Sequence, residues 1–166
     1  TRCYVDCPND LWQMDFKGPF ETTEGRCYPL TIMDDHSRFN LCLKGCLNQQ
    51  EKTVREQMIS VFRVYGLPRK IIVDNGSPWG SDNEHRHTQL TVWWMRQGIA
   101  VSHSRPYHPQ TLGKDERFHR TLKAEILQYC RGMNWSQCQK RMDEWRRVYN
   151  TERPHEALNM DVPVSR

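Results

Sequence analysis

Three carboxylates stand at places where ordinary structural need does not account for them. Asp15 lies within an alternating run, residues 11–17. There Trp12, Met14 and Phe16 face one way and Leu11, Gln13, Asp15 and Lys17 the other. Aspartate is disfavoured inside strands, so Asp15 is either exposed on a half-solvated sheet or a ligand on a working face. Asp74 closes the apolar run 70–73 and precedes Asn75 and Gly76. Asn-Gly is a turn signal, but the C-terminal end of a buried strand is also where α/β sheets bind ligands. Glu116 falls in the first turn of a helical pattern that runs from about residue 114, behind a stiff lead-in containing Pro106 and Pro109. There it either supports the helix start or acts as a metal ligand or general base. Three hard oxygen donors suit Mg²⁺ or Mn²⁺, with water and a substrate phosphate completing the shell. Two such ions roughly 4 Å apart activate an attacking oxygen and stabilise a leaving one, which is phosphoryl-transfer chemistry. Without a cation the three acids repel one another, so an empty site is expected to be weak or distorted.

The elements that must position these groups can be read from periodicity. Strands are expected over 11–17, 28–33, 39–45, 70–73 and 99–101, the first three joined as an antiparallel meander. Asp34 and Asp35 fall at the hairpin between the second and third strands and read as turn residues. Val54, Met58, Val61, Phe62 and Tyr65 mark an amphipathic helix behind a cap at residues 48–51, ended by Gly66. Residues 88–97 form a short helix with Leu90, Trp93 and Trp94, and residues 77–87 before it form a polar loop whose His85 and His87 read as solvated. On the helix carrying Glu116, the residues Phe118, Leu122, Ile126 and Tyr129 form a buried stripe, while Glu116, Arg120 and Lys123 share another face with Arg117 beside them. Leu127 falls near that charged face without an explanation. Asn134 caps a last helix with Trp135, Cys138, Met142, Trp145 and Tyr149 at helical spacing, and Lys140, Arg141, Arg146 and Arg147 on its solvated side. Asp15 and Asp74 become neighbours if the first and fourth strands pair, and the Glu116 helix can then close the site.

Composition sets loose bounds. The 166 residues suffice for one domain, residues 1–166, with 1–10 as a loose lead-in and 151–166 as a polar C-terminal tail. Lys and Arg number 24 against 20 Asp and Glu, so the formal charge of +4 permits a polyanionic partner without demanding one. No apolar run is long enough to span a membrane. Seven cysteines, an odd number lying mostly in patterned segments, fit free thiols in a reducing compartment better than a disulfide framework. Cys3 and Cys7 have no second pair at zinc-site spacing. The chain starts at Thr1 and reads as a piece of a longer protein.

Six blocks carry a family resemblance: Leu11-Trp-Gln-Met-Asp-Phe16, Thr31-Ile-Met-Asp-Asp-His-Ser-Arg38, Tyr65-Gly-Leu-Pro68, Val73-Asp-Asn-Gly-Ser-Pro78, the stretch from Arg105 through Leu122, and Tyr149-Asn-Thr-Glu-Arg-Pro-His155. Together the sequence resembles the integrase catalytic core of the DDE superfamily, in particular bacterial insertion-sequence transposases of the retroviral-integrase type. The resemblance implies an α/β, ribonuclease H-like fold with a five-stranded mixed sheet flanked by helices. It implies a metal-binding catalytic triad of Asp15, Asp74 and Glu116, holding two Mg²⁺ or Mn²⁺ ions. Glu116 rather than Asp115 matches because the family's Glu directly precedes the Arg of its Gly-Lys-x-Glu-Arg block. It further implies metal-dependent cleavage at transposon ends followed by strand transfer, in which a DNA 3′-hydroxyl attacks a target phosphodiester. Expected partners are transposon-end and target DNA and at least a second copy of the chain; the expected place is the bacterial cytoplasm, on the nucleoid. By position, Lys114, Arg117, Arg120 and Lys123 are the candidates for DNA-phosphate contacts. End recognition in such proteins comes from an N-terminal helix-turn-helix region that these residues do not include. One departure is that the interval 75–115 is longer than usual for the family, with the excess around residues 81–88. Competing readings are a catalytically silent DNA-binding or assembly module and a ribonuclease H-like nuclease acting on RNA–DNA hybrids.

Overall fold

The computed structural model describes residues 6–80, 87–103 and 109–166, with the side chains of 109–115 and 157 excepted. Six strands and four α-helices follow in the order β1 (Leu11–Phe16), β2 (Phe20–Thr22), β3 (Gly25–Asp34), β4 (Asn40–Cys46), α1 (Glu51–Tyr65), β5 (Lys70–Val73), α2 (Gln89–Arg96), β6 (Ala100–His103), α3 (Pro109–Glu125) and α4 (Trp135–Thr151). β4, β3 and β1 pair antiparallel, while β1, β5 and β6 pair parallel, so the main sheet runs β4-β3-β1-β5-β6. The sheet thus has six strands, not five. The extra one, β2, is three residues long, leaves too little sequence for an alternation signal, and pairs only with the start of β3.

Both faces of the sheet are covered. Trp12, Met14, Ile32 and Ile71 pack with Val54 and Met58 of α1 and Leu90 and Trp94 of α2. Met33 and Leu43 pack on the other face with Phe118 and Leu122 of α3 and Met142 and Trp145 of α4. The alternation read from β1 therefore survives as two buried faces: Trp12 and Met14 enter the first core, and Leu11 and Gln13 on the other face are buried as well. Burying each of these large apolar side chains contributes about 1.5–3 kcal/mol.

The hairpin aspartates are structural. Asp34 is buried and accepts hydrogen bonds from Asn9 N, Ser37 N and Ser37 Oγ at 2.8, 2.8 and 2.6 Å. Asp35 accepts from Gln13 Nε2 and from Arg38 at 2.8 and 3.1 Å. The cap of α1 differs from expectation: Gln50 is the N-cap and makes no side-chain bond, while Asn48 Oδ1 accepts from Gln50 N and Thr53 Oγ1. α2 and α4 open with capping boxes, Thr88 with Thr91 and Asn134 with Gln137.

Two departures concern α3. It begins at Pro109, not near residue 114. Proline at the first helical position is preorganised for a helix and loses no hydrogen bond there, so Pro109 starts the element it was expected to exclude. Glu116 consequently sits about two turns inside the helix, away from its positive end. At the other end α3 stops at Glu125, and a 3₁₀ turn over Leu127–Tyr129 follows. The tighter turn carries Leu127 into the core and swings Tyr129 to 55% exposure, which exchanges the places that an ideal helix assigns them.

A third departure is Arg146, expected on a solvated face. It donates to Asn40 O at 2.7 Å, Leu41 O at 3.1 Å and the Tyr65 hydroxyl at 2.6 Å, with its guanidinium over the Phe39 and Tyr65 rings. The α4 side chains also serve other backbone groups of β4. Asn150 brackets Asn40, accepting from its N at 2.8 Å and donating to its O at 2.9 Å. Gln139 accepts from Gly45 N at 2.9 Å and donates to Leu43 O at 3.1 Å. Beyond α4, residues 152–166 include short 3₁₀ turns at Glu156–Leu158 and Pro163–Ser165, with Leu158 and Pro163 buried. No described helix is long and apolar enough to cross a membrane.

Candidate active site

The parallel pairing of β1 with β5 positions the first two carboxylates. Leu11 pairs with Lys70, Trp12 with Ile71 and Gln13 with Ile72, and the same offset carried two residues on sets Asp15 level with Asp74. Both lie at the C-terminal edge of the sheet. Burial raises the Asp15 carboxyl above its usual range, against the opposing charge and hydrogen bond of Lys17. Asp74 is also raised, first by burial and then by the Asp15 charge, and it is lowered by the Gly76 N–H, which donates to Asp74 Oδ1 at 2.8 Å. The Asp15 charge therefore bears on Asp74.

Glu116 is exposed on α3. The β1–β5 register brings Asp15 and Asp74 to the same edge, and among the described residues no three His, Cys, Asp or Glu side chains are grouped to hold a metal ion. As a donor set, two carboxylates at one sheet edge fit a hard divalent cation.

Two residues that the sequence reading did not single out complete the immediate surroundings. Lys17 Nζ lies 3.2 Å from Asp15 Oδ2, and it also meets His119 Nδ1. His119 Nε2 lies 3.9 Å from the same carboxylate oxygen. A signal for both was present: Lys17 is two residues from Asp15 on one strand face, and His119 is three residues from Glu116 on one helix face.

The loop behind Asp74 is fixed by a buried aromatic. Trp79, expected in a polar loop, is 2% exposed and stacks between Phe16 at 5.7 Å and Trp94 at 6.2 Å. Its backbone turns back on Gly76, and its carbonyl lies 3.0 Å from His103 Nε2. His103 is paired with Val73 at the end of β6, so strand, loop and aromatic plug are locked beside Asp74. Of the two loop histidines, His87 is exposed and His85 lies outside the described residues.

Of the four candidate phosphate contacts, Arg117, Arg120 and Lys123 are exposed, and the Lys114 side chain lies outside the described residues. Arg120 and Lys123 line a cavity of about 490 Å³ between the end of β1 and the second half of α3, together with Lys17, His119 and Arg131. The buried cysteines offer no competing chemistry. Cys27, Cys42, Cys46, Cys130 and Cys138 are buried free thiols, and burial pushes Cys27 and Cys42 up to about 12, far from the reactive thiolate.

Family models described as Integrase core domain match residues 5–109 and residues 97–163. The chain is 28% identical over 160 residues, 95% of its length, to the insertion element IS476 uncharacterized 39.2 kDa protein of Xanthomonas euvesicatoria, and covers 44% of that protein. It is 26% identical over 116 residues, 70% of its length, to the Pro-Pol polyprotein of feline foamy virus, and covers 9% of it. The chain thus spans under half the length of these curated relatives. Among solved structures it is similar to the HTLV-2 integrase catalytic core domain in complex with magnesium, with a TM-score of 0.73, 14% identity and 98% of each chain covered. That likeness shows the fold, a ribonuclease H-like mixed sheet between two helical layers.

Proposed function

The chain belongs to the integrase core domain family, and on that premise we propose that it is the catalytic core of a DNA transposase that cleaves DNA ends and transfers strands. The observation that carries this reading is the adjacency of Asp15 and Asp74 at the ends of parallel neighbours β1 and β5, each carboxyl raised by burial and Asp74 raised further by Asp15. In this reading Asp15, Asp74 and Glu116 hold Mg²⁺ or Mn²⁺, two ions when loaded. The bound cations supply the activation of the attacking oxygen and the neutralisation of the leaving oxygen.

The protein's own residues do the rest. The β1–β5 pairing fixes the first two donors in register. The Trp79 plug and the Gly76 N–H hold the Asp74 carboxylate against drift. Glu116 joins them from α3, an element seated on the opposite core by Phe118 and Leu122. Lys114, Arg117, Arg120 and Lys123 lay the DNA backbone along α3, which positions the strand without reading its sequence. Strand transfer joins two ends to one target, so the working form is at least a dimer. Because the curated relatives are longer, recognition of specific ends is assigned to sequence outside the core.

The test pairs metal binding with chemistry. Calorimetry with Mn²⁺ is run on the wild type and on Asp15→Asn, Asp74→Asn and Glu116→Gln, and the same proteins are assayed for joining of a duplex 3′-hydroxyl to target DNA. Each substitution is expected to abolish joining while leaving the circular dichroism spectrum intact. Near-normal joining by any one variant removes that residue from the triad. Cleavage of RNA–DNA hybrid in preference to duplex DNA overturns the transposase reading in favour of a ribonuclease.

A further inference from the structure

Lys17 occupies a place where a cation is needed. Strand alternation sets it on the face of Asp15, and Lys17 N donates to Pro29 O at 2.8 Å, which anchors its backbone where β1 ends. Its side chain is only 14% exposed, held between Asp15 and His119 of α3. Its ammonium lies 3.2 Å from Asp15 Oδ2. A single ammonium thus partly neutralises the Asp15 carboxylate at the edge it shares with Asp74. The same side chain also lines the 490 Å³ cavity with Arg120, Lys123 and Arg131, and no carboxylate is among the described residues lining it. That cavity has the charge to take a phosphodiester.

We propose that Lys17 is a resident counter-cation of the Asp15–Asp74 pair: it holds Asp15 in place, gives way to a divalent cation, and then turns its ammonium to a DNA phosphate in the adjoining cavity. This rests on the reading of Asp15 as a metal donor. Lysine suits the task. Its ammonium is a compact charge on a flexible stem, able to exchange one anion for another by rotating a few bonds. A carboxylate left bare at this edge would repel Asp74, and one bound by a rigid guanidinium fork would release it reluctantly. Lys17 is therefore a positioning residue that couples metal entry to DNA entry.

The experiment is Mn²⁺ calorimetry with and without a short DNA duplex, on the wild type and on Lys17→Gln, Lys17→Met, Lys17→Arg and Asp15→Asn, with the fold of each checked by thermal melting. Without DNA, Lys17→Gln and Lys17→Met are expected to bind Mn²⁺ about three- to tenfold more tightly than the wild type, because the competing charge is gone. Lys17→Arg is expected to bind no more tightly than the wild type. DNA is expected to tighten Mn²⁺ binding by the wild type, and this gain is expected to shrink in Lys17→Gln and Lys17→Met. Equal or weaker Mn²⁺ binding by folded Lys17→Gln and Lys17→Met overturns the proposal. If Asp15→Asn keeps full Mn²⁺ affinity, the metal reading of Asp15 fails with it; if Asp15→Asn loses binding while the Lys17 variants match the wild type, only the role of Lys17 falls.

Discussion

Trp79→Ala tests whether the loop behind Asp74 is held by packing. Trp79 is 2% exposed and stacked on two rings, so truncation removes nearly all of a large buried aromatic. An indole buries on the order of 150–250 Å². At about 25 cal/mol per Å² that is about 4–6 kcal/mol of transfer free energy. Partial collapse of the site recovers some of it, which agrees with the about 3–5 kcal/mol usual for such truncations. A loss of about 4 kcal/mol in a domain of this size lowers the melting midpoint by about 8–16 °C. Urea unfolding followed by far-ultraviolet circular dichroism, without metal, reads the loss. Trp79→Phe keeps a ring against Phe16 and is expected to lose less than half as much. Because the Asp74 loop folds back onto Trp79, Trp79→Ala is also expected to weaken Mn²⁺ binding more than an equally destabilising change at Leu90, on helix α2. A stability loss under about 1 kcal/mol would refute the packing argument, since ordinary surface substitutions reach half of that.

Two further predictions concern charge. Asp74 has a folded-state carboxyl raised above its unfolded value, so its contribution to stability is fully present below pH about 3.9 and is lost as pH rises through the raised value. In chelator, Asp74→Asn is therefore expected to be more stable than the wild type near pH 7 and to lose that advantage near pH 3.5; an Asp74→Asn protein less stable at pH 7 would reverse the sign of the argument. Arg146→Met takes the Arg146 donor from the Leu41 carbonyl and the Tyr65 hydroxyl, leaves Asn40 O with Asn150 alone, and is expected to cost about 2–4 kcal/mol in urea unfolding. Arg141→Met, on the exposed side of the same helix, is expected to stay within about 0.5 kcal/mol, and equal losses from the two would place Arg146 on the surface after all.

Much of the fold was legible because its signals are local. The alternation of residues 11–17 and the apolar run 70–73 fixed two neighbouring strands, and from them the approach of Asp15 to Asp74 followed once the pairing was assumed. What escaped notice depends on contacts distant in sequence. Trp79 sits in a polar stretch and is buried only because Phe16 and Trp94 come to meet it. Arg146 looks like any helix cation until β4 and Tyr65 arrive beneath it. Pro109 was misread for a different reason: proline forbids the interior of a helix but favours its first position, and sequence alone did not say which applied. Leu127 and Tyr129 exchange places because α3 ends in a tighter turn, a change of pitch that no periodicity count contains.

The way α4 attends to β4 has a consequence for how copies of this chain can come together. β4 is the outer strand of the sheet, and such a strand ordinarily offers a row of free amides and carbonyls to any passing extended chain. Here Asn150, Gln139 and Arg146 take up the Asn40 and Gly45 amides and the Asn40, Leu41 and Leu43 carbonyls, as a partial surrogate neighbour. An extended chain adding along this border has to displace those side chains. Part of the outer edge of the sheet is thereby spoken for within one chain, which works against growth of the sheet from copy to copy.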